Sequence, residues 1–168
     1  MTIGILFVSM GGICRAPMAA GVFRVFARRG RIEHLFDVAS AGTFDGHVGQ
    51  PPSLLACEVA RGRGYEIGGE RVRVLRGDDL ARYDHGLAMD RSTLAAMRWM
   101  APAGCLDRPQ LLMRHAPQAG ATDIADPYGG TMADYERALD LIEKGCAGLM
   151  MTVVRALQGP AGSLQNPG

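Results

Sequence analysis

The amino-acid sequence predicts an α/β fold built on a parallel sheet, and three observations lead to this prediction. Apolar runs typical of strands alternate with amphipathic segments typical of helices. The 168 residues match the size of one domain that can bury most of its surface. No internal repeat or second domain is visible. Strands that alternate with helices form parallel sheets with right-handed crossovers, and such sheets bind ligands at the carboxyl ends of their strands.

The first thirty residues carry the clearest pattern. Residues 3–8 form a continuous apolar run with β-branched and aromatic members, which predicts a buried parallel strand. A short turn containing glycines follows at 9–15. Pro17 then occupies a position typical of a first helical turn, and apolar residues at helical spacing predict a helix that ends at Gly30. The chain therefore begins as strand, loop and helix N-terminus.

The remaining elements follow in order. Residues 36–41 predict a second strand, closed by Gly42, and a polar loop rich in glycine continues to Pro52. Further predicted elements are a helix at 53–63, a weak strand at 72–75, a strand at 83–89, a helix at 92–100, a short strand at 111–113 and a long helix at 132–157. We expect residues 1–157 to form the domain and residues 158–168, which contain several Pro and Gly, to form a flexible tail.

Composition and charge exclude several classes of function. A net charge of +1 argues against a nucleic-acid partner and against a polybasic membrane surface. No apolar stretch approaches the ~18 to 20 residues that span a bilayer. The four cysteines lack the spacing of a zinc site or a disulfide framework: Cys14, Cys57, Cys105 and Cys146. We expect a cytoplasmic protein without metal or cofactor, and the sequence leaves its oligomeric state open.

The turn at 9–15 has the properties of an anion site. A loop that leads from a strand into a helix offers unpaired N–H groups and the positive end of the helix dipole. Gly11 and Gly12 allow the backbone to turn those groups inward, and Arg15 offers two further donors. From the spacing alone, a loop that merely connects strand and helix, with Arg15 in solvent, is an equally good interpretation.

Residues 5–19, ILFVSMGGICRAPMA, resemble the signature of the low-molecular-weight protein tyrosine phosphatases, which is Cys, five residues, Arg and then Ser-Pro. Further blocks occur in the family's order and at about its spacings, at 40–43, 47–49, 88–90 and 126–128. The resemblance covers residues 3–155. It implies a three-layer α/β/α fold with a central, mostly parallel sheet of about four strands.

The resemblance also implies roles for particular residues. In this family a thiolate attacks phosphorus, backbone N–H groups and Arg bind the phosphate oxygens, and Asp protonates the leaving phenolate. The corresponding positions here are Ser9 for the nucleophile, Arg15 for phosphate binding and Asp126 for the general acid. His47 and Tyr128 would line the substrate cleft. The residues that would bind phosphate are Met10, Gly11, Gly12, Ile13, Cys14 and Arg15. The implied partner is phosphate, a protein that contains phosphotyrosine, or a small aryl phosphate.

The sequence departs from the family pattern first at the nucleophile. Ser9 is an alcohol, a far weaker acid than a thiol with its pKa of about 8.5, and no His or carboxylate lies near it in the loop to act as a base.

The residues that support the nucleophile and the cleft also depart from the family pattern. Ala16 replaces a serine that supports the thiolate, and Gly12 replaces an asparagine that braces the loop. Glu70 falls near the position of a histidine from the same bracing network. Gly46 and Gly129 replace cleft aromatics, which leaves Tyr128 as the expected aromatic wall.

Three hypotheses follow. The first is a pseudophosphatase, a module that binds phosphate or phosphotyrosine through the loop with little or no turnover. The second is an active protein tyrosine phosphatase, in which Ser9 is an introduced replacement for cysteine or the chemistry is rerouted, for example through Cys14. Cys14 is otherwise interpreted as a buried cysteine at the start of a helix. The third, which ranks last, is an arsenate reductase: it shares the fold and the loop but would need redox cysteines, and the sequence has no Cys at position 9 and no clear resolving pair.

Overall fold

Four parallel strands form the centre of the structure, a computed structural model that describes residues 1–159. The strands are β1 (Ile3–Ser9), β2 (Phe36–Gly42), β3 (His85–Ala88) and β4 (Pro109–Leu111). They lie in the order β2-β1-β3-β4, and every neighbouring pair is parallel. The predicted α/β class with a four-stranded parallel sheet is confirmed.

Five helices cover the two faces of this sheet. They are α1 (Arg15–Arg29), α2 (Leu54–Gly62), α3 (Gly77–Arg82), α4 (Arg91–Met100) and α5 (Met132–Gln158). Helices α1, α2 and α5 pack together on one face, and α3 and α4 cover the other. The result is the three-layer α/β/α arrangement that the resemblance implies. None of the helices within residues 1–159 combines the length and the apolar character needed to cross a bilayer.

Strand β1 is apolar up to Val8 because both of its faces are covered. Ile5 and Phe7 belong to the core shared with α1 and α5, whereas Leu6 and Val8 belong to the core beneath α3 and α4. All four side chains are fully buried. Alternate residues of a strand point to opposite faces, so a strand between two helical layers needs apolar residues at every position. This central position places the end of β1, at Ser9, in the middle of the sheet's carboxyl edge.

The ends of the helices differ in how their backbone groups are satisfied. The Asp90 side chain caps α4 by accepting a hydrogen bond from the Thr93 N–H at 2.8 Å. Thr131 and Asp134 form a capping box at the start of α5. Helix α1 has no side-chain cap on its N-cap residue, Cys14. In the first turn of α1, Pro17 has no N–H and the Ala16 N–H donates to Ser9 Oγ, so within residues 1–159 the Arg15 N–H is left for another acceptor.

Several predicted elements need correction. The weak strand at 72–75 is a single parallel bridge between Val74 and Gly42. Arg73 and Leu75 bond to Gly42 at the end of β2, whereas Val72 bonds to residues 49 and 50 in the loop that follows β2. Helix α3 was not predicted, since six residues are too few to show a helical period. The strand expected at 111–113 lies at β4, and a 3₁₀ turn at Leu112–His115 follows it. Apart from its first two residues, the predicted tail at 158–168 lies outside the described residues.

Candidate anion-binding site

The loop between β1 and α1 opens into a cleft at the carboxyl edge of the sheet. The cleft has a volume of about 210 Å³ and is lined by every residue from 9 to 15. Four residues from other loops complete it: Phe44, His47, Asp126 and Tyr128. The structure thus brings all the sequence-predicted site residues to one place. We name residues 9–15 the anion loop.

The backbone of the anion loop is held from behind by three neighbouring N–H groups. The bonds run from Thr43 N to Ser9 O at 3.1 Å, from Phe44 N to Met10 O at 2.9 Å and from Ser53 N to Ile13 O at 3.0 Å. In a trans peptide the carbonyl and the next N–H point in opposite directions, so the N–H groups that follow these carbonyls face the other way. Within residues 1–159 the N–H groups of residues 10–14 donate to no other protein group. They form a set of free donors suited to an anion.

A close approach between two glycines also fixes the anion loop. Gly12 has a φ of 65°, a left-handed conformation that favours glycine. A Cβ on Gly12 would lie 2.8 Å from the Gly42 nitrogen, and a Cβ on Gly42 would lie 2.9 Å from the Gly12 nitrogen. Both positions therefore need glycine, and backbone contact takes the place of a bracing side chain at position 12.

Arg15 is buried and is held by acceptors from two other loops. Its Nη1 donates to Asp90 Oδ2 at 2.5 Å and to the Ile124 carbonyl at 2.8 Å. Its Nη2 lies 3.7 Å from Asp126 Oδ2, and its Nε is buried without a partner in residues 1–159. The side chain is only 2% exposed. Arg15 is thus fixed in place and keeps donor capacity for a ligand.

The carboxylate of Asp90 is matched to this arginine. Burial alone would raise the pKa of Asp90, but the hydrogen bonds from Arg15 and from the Thr93 backbone outweigh it and hold that pKa below its usual range. The carboxylate is therefore ionised at neutral pH and offsets the charge of Arg15. Sequence reasoning quoted Asp90 in a block but gave it no role. Its position directly after a strand, at the sheet's carboxyl edge, was the available signal.

Asp126 stands at the rim of the cleft, more exposed than the other charged groups. Its Oδ1 accepts a hydrogen bond from the Tyr128 N–H at 3.1 Å, across Pro127, and its side chain is 37% exposed. The carboxylate is open to solvent on one side and faces Arg15 on the other. Such a position suits proton transfer to a group bound in the anion loop.

Three rings form the outer wall of the cleft, which corrects the expectation that Tyr128 stands alone. The His47 and Tyr128 rings have centroids 5.4 Å apart, and those of Phe44 and His47 are 6.1 Å apart. A Cβ on Gly46 would lie only 2.1 Å from the Phe44 ring. Phe44 therefore occupies the space that a side chain at 46 would need. An aromatic residue two positions before the glycine was the signal that sequence reasoning missed.

Ser9 closes the base of the cleft. It is 2% exposed, and its Oγ accepts a hydrogen bond from the Ala16 N–H at 3.4 Å. In the described part of the chain, Oγ has no hydrogen bond to a carboxylate or an imidazole. A hydroxyl needs such a base to become a nucleophile. In this structure the Ser9 hydroxyl acts as a hydrogen-bond acceptor.

The Cys14 thiol is held by two hydroxyl groups. Its Sγ lies 3.2 Å from Ser53 Oγ and 3.4 Å from the Tyr135 hydroxyl, behind the anion loop. Burial raises the pKa of the thiol above its ordinary value, and the hydrogen bonds from Ser53 and Tyr135 offset only part of this. The side chain matches the interpretation as a buried cysteine at a helix start.

Glu70 does not brace the anion loop. It forms an ion pair with Arg24, whose Nη2 donates to the Val38 carbonyl at 2.6 Å, on the flank of β2. Its side chain has no hydrogen bond to residues 9–15 in the described chain. Residues 1–159 also contain no group of three His, Cys, Asp or Glu side chains arranged to hold a metal ion.

Comparison with known proteins adds to this geometry. The family model described as low molecular weight phosphotyrosine protein phosphatase matches residues 4–159. The low molecular weight protein-tyrosine-phosphatase YfkJ of Bacillus subtilis is 31% identical to this chain, over 93% of the chain and 99% of the relative. The protein of the same description from Streptomyces coelicolor is 32% identical, over 96% of the chain and 99% of the relative.

Solved structures of protein tyrosine phosphatases have the same fold as this chain. The crystal structure of YfkJ superimposes with a TM-score of 0.87 at 29% identity, and covers 95% of this chain and 98% of YfkJ. A protein tyrosine phosphatase from Entamoeba histolytica, with Hepes in its active site, gives a TM-score of 0.89 over 93% of this chain and 99% of its own. Its identity is 24%, so it supports the fold alone.

Proposed function

Because the chain belongs to the low-molecular-weight phosphotyrosine protein phosphatase family, we propose that it captures phosphate monoesters in its anion loop with little or no turnover. The observation that carries the proposal is the hydroxyl of Ser9 at the base of the cleft, combined with an intact set of anion donors around it. Recognition needs the donors, whereas hydrolysis needs the missing thiolate.

Binding follows from the groups that remain. The free N–H groups of residues 10–14 and the guanidinium of Arg15 would bind the phosphate oxygens. Ser9 differs from a thiolate in charge: its hydroxyl does not repel a phosphate dianion and can donate a hydrogen bond to it. Phe44, His47 and Tyr128 would contact the group that the phosphate carries. The names of the relatives make phosphotyrosine the natural choice for that group, in a protein or as a small aryl phosphate.

Loss of turnover follows from the groups that are absent. Removal of a nucleophile costs on the order of 10⁶ in turnover in a well-characterised hydrolase. Ala16 offers only its backbone N–H to position 9, so it gives less support to a nucleophile than a serine hydroxyl would. The alternative route through Cys14 is disfavoured by its raised pKa and by its contacts behind the loop.

A second candidate, an active protein tyrosine phosphatase, is favoured by one observation. Asp126 keeps a position 3.7 Å from Arg15, at the rim where a leaving group would depart. A module that only binds phosphate has no need of a proton donor there. Under this candidate, the unaltered chain hydrolyses aryl phosphates and depends on Asp126.

The test compares hydrolysis of p-nitrophenyl phosphate by four proteins: the unaltered chain, Asp126→Ala, Ser9→Cys, and Ser9→Cys combined with Ala16→Ser. We expect the unaltered chain and Asp126→Ala to share the same background rate. Ser9→Cys should gain turnover, and Ala16→Ser should raise it further because a hydroxyl then supports the thiolate. Turnover by the unaltered chain that Asp126→Ala abolishes would establish the second candidate instead.

A further inference from the structure

Three polar side chains form a closed triangle behind the anion loop. The Cys14 Sγ lies 3.2 Å from Ser53 Oγ and 3.4 Å from the Tyr135 hydroxyl, and Ser53 Oγ lies 3.2 Å from that hydroxyl. Cys14 and Tyr135 are each 2% exposed. The three residues come from the starts of α1, α2 and α5. We name them the rear triangle.

Ser53 joins the rear triangle to the loop backbone. Its N–H donates to the Ile13 carbonyl at 3.0 Å, and its Oγ accepts from the Ala56 N–H at 3.4 Å. The Ile13 carbonyl and the Cys14 N–H belong to the same peptide group. Fixing the carbonyl on Ser53 therefore fixes the N–H to the opposite side, where the loop lines the cleft.

All three side chains of the rear triangle are protonated at neutral pH. Burial, together with contact with Cys14, raises the pKa of Tyr135 to about 12. Burial also raises the pKa of Cys14. Each of the three groups thus carries one proton and offers one acceptor, so that every group in the triangle can donate and accept. A satisfied buried network of this kind holds its members in one arrangement.

Within residues 1–159, the side chains at positions 9 and 12 of the loop form no comparable network. Gly12 contributes no side chain, and only its backbone meets Gly42. In the described residues the Ser9 hydroxyl makes one long hydrogen bond, accepted from the Ala16 N–H at 3.4 Å. The rear triangle is the place where buried side chains restrain residues 13 and 14 of the loop.

We infer that Tyr135 is a positioning residue for the anion loop: its hydroxyl, through Ser53 and Cys14, fixes the peptide whose N–H binds the anion. The inference rests on the proposed function, since it concerns the affinity of that loop. It assigns α5, which contributes no residue to the cleft, a part in anion binding.

The test uses Tyr135→Phe, which removes the hydroxyl and keeps the ring. Affinity for inorganic phosphate is measured by calorimetric titration, and the melting temperature is recorded beside it. We expect affinity to fall about three- to tenfold, the change that corresponds to one net hydrogen bond. Tyr65→Phe is the matched control, because Tyr65 is also 2% exposed and donates to Glu143 at 2.6 Å, outside the cleft. It should lower the melting temperature and leave the affinity unchanged.

Ser53→Ala and the double variant complete the experiment. If the triangle acts as a unit, Ser53→Ala lowers affinity by a similar factor, and the double variant loses less than the product of the two single effects. Unchanged affinity in Tyr135→Phe, or effects that simply multiply, would overturn the inference and leave the proposed function standing. Absence of phosphate binding by the unaltered chain would overturn both. Should Tyr135→Phe fail to fold, unchanged affinity in Ser53→Ala would decide against the inference.

Discussion

The backbones of Gly12 and Gly42 touch, with room for a side chain on neither residue. A Cβ on Gly12 would meet the Gly42 nitrogen at 2.8 Å and its Cα at 2.9 Å. Gly12 belongs to the anion loop, and Gly42 ends β2. The contact thus ties the loop to the edge of the sheet, at a position where the family's pattern has an asparagine side chain.

Gly12→Ala should destabilise the protein and weaken phosphate binding together. The left-handed conformation costs alanine ~1–2 kcal/mol, and the clash with Gly42 adds about 1–3 kcal/mol as the loop shifts. Denaturant unfolding and phosphate titration measure the two effects. Gly120→Ala is the matched control, because its φ of 68° is nearly that of Gly12 at 65° and no atom of residues 1–159 lies within 4 Å of its Cβ position. Equal losses of stability in both variants, with phosphate affinity intact, would show that the close contact is unimportant.

Arg15→Lys should lower phosphate affinity at least tenfold. A lysine ammonium is a point donor and cannot hold Asp90 and the Ile124 carbonyl while it also contacts an anion, as the guanidinium can. Calorimetric titration with phosphate gives the affinity. Arg82→Lys makes the same change at an exposed ion pair with Asp37 and should leave both affinity and stability nearly unaltered. Phosphate affinity retained in Arg15→Lys would argue against a bidentate role for this arginine.

Phe44→Ala should lower the affinity for ligands that carry a ring and leave the affinity for inorganic phosphate unchanged. The Phe44 ring belongs to the wall with His47 and Tyr128, and an aromatic contact contributes about 0.5–1.5 kcal/mol, or roughly three- to tenfold in affinity. Competition between phenylphosphonate and phosphate measures the difference. Gly46→Ala should act in the same direction, because its Cβ would displace the Phe44 ring. An equal loss of affinity for phenylphosphonate and for phosphate would mean that Phe44→Ala disturbs the anion loop and not the contact with the ring.

Asp90 should contribute stability that depends on pH. Its pKa is lowered in the folded protein, so its contribution is fully present above the unfolded pKa of about 3.9 and is lost as the pH falls through the folded value. Asp90→Asn should therefore be less stable than the unaltered chain at pH 7, and the gap should narrow as the pH falls below about 4. Urea unfolding across this range measures the gap. A gap that is constant with pH would mean that the charge of Asp90 does not stabilise Arg15.

The sequence predicted most of the fold because its strongest patterns are local. The continuous apolar run of β1 is typical of a buried strand, and the stripe of α5 is long enough for a helical period to become clear. Both predicted ranges end one residue before the observed element. Helix α3 is too short for such a pattern. The segment around Val74 has a strand-like composition, but only one bridge to β2 forms there.

The sequence predicted the parts of the site whose residues are adjacent along the chain. It did not predict the contacts between residues that are distant in sequence and are brought together by folding. The anion loop is contiguous, so its glycines and Arg15 could be interpreted together. The sequence shows an aromatic residue two positions before Gly46, but that the Phe44 ring occupies the space beside Gly46 is visible only in three dimensions. Tyr135 lies 121 residues from Cys14, and no sequence pattern links them.

The measurement that bears most directly on phosphate capture without turnover is a titration of the unaltered chain with p-nitrophenyl phosphate, followed by assay of the ester after several hours. We expect saturable binding that is lost in Arg15→Ala, with the ester recovered intact. Release of p-nitrophenol at a rate that Asp126→Asn abolishes, or the absence of saturable binding, would contradict the account.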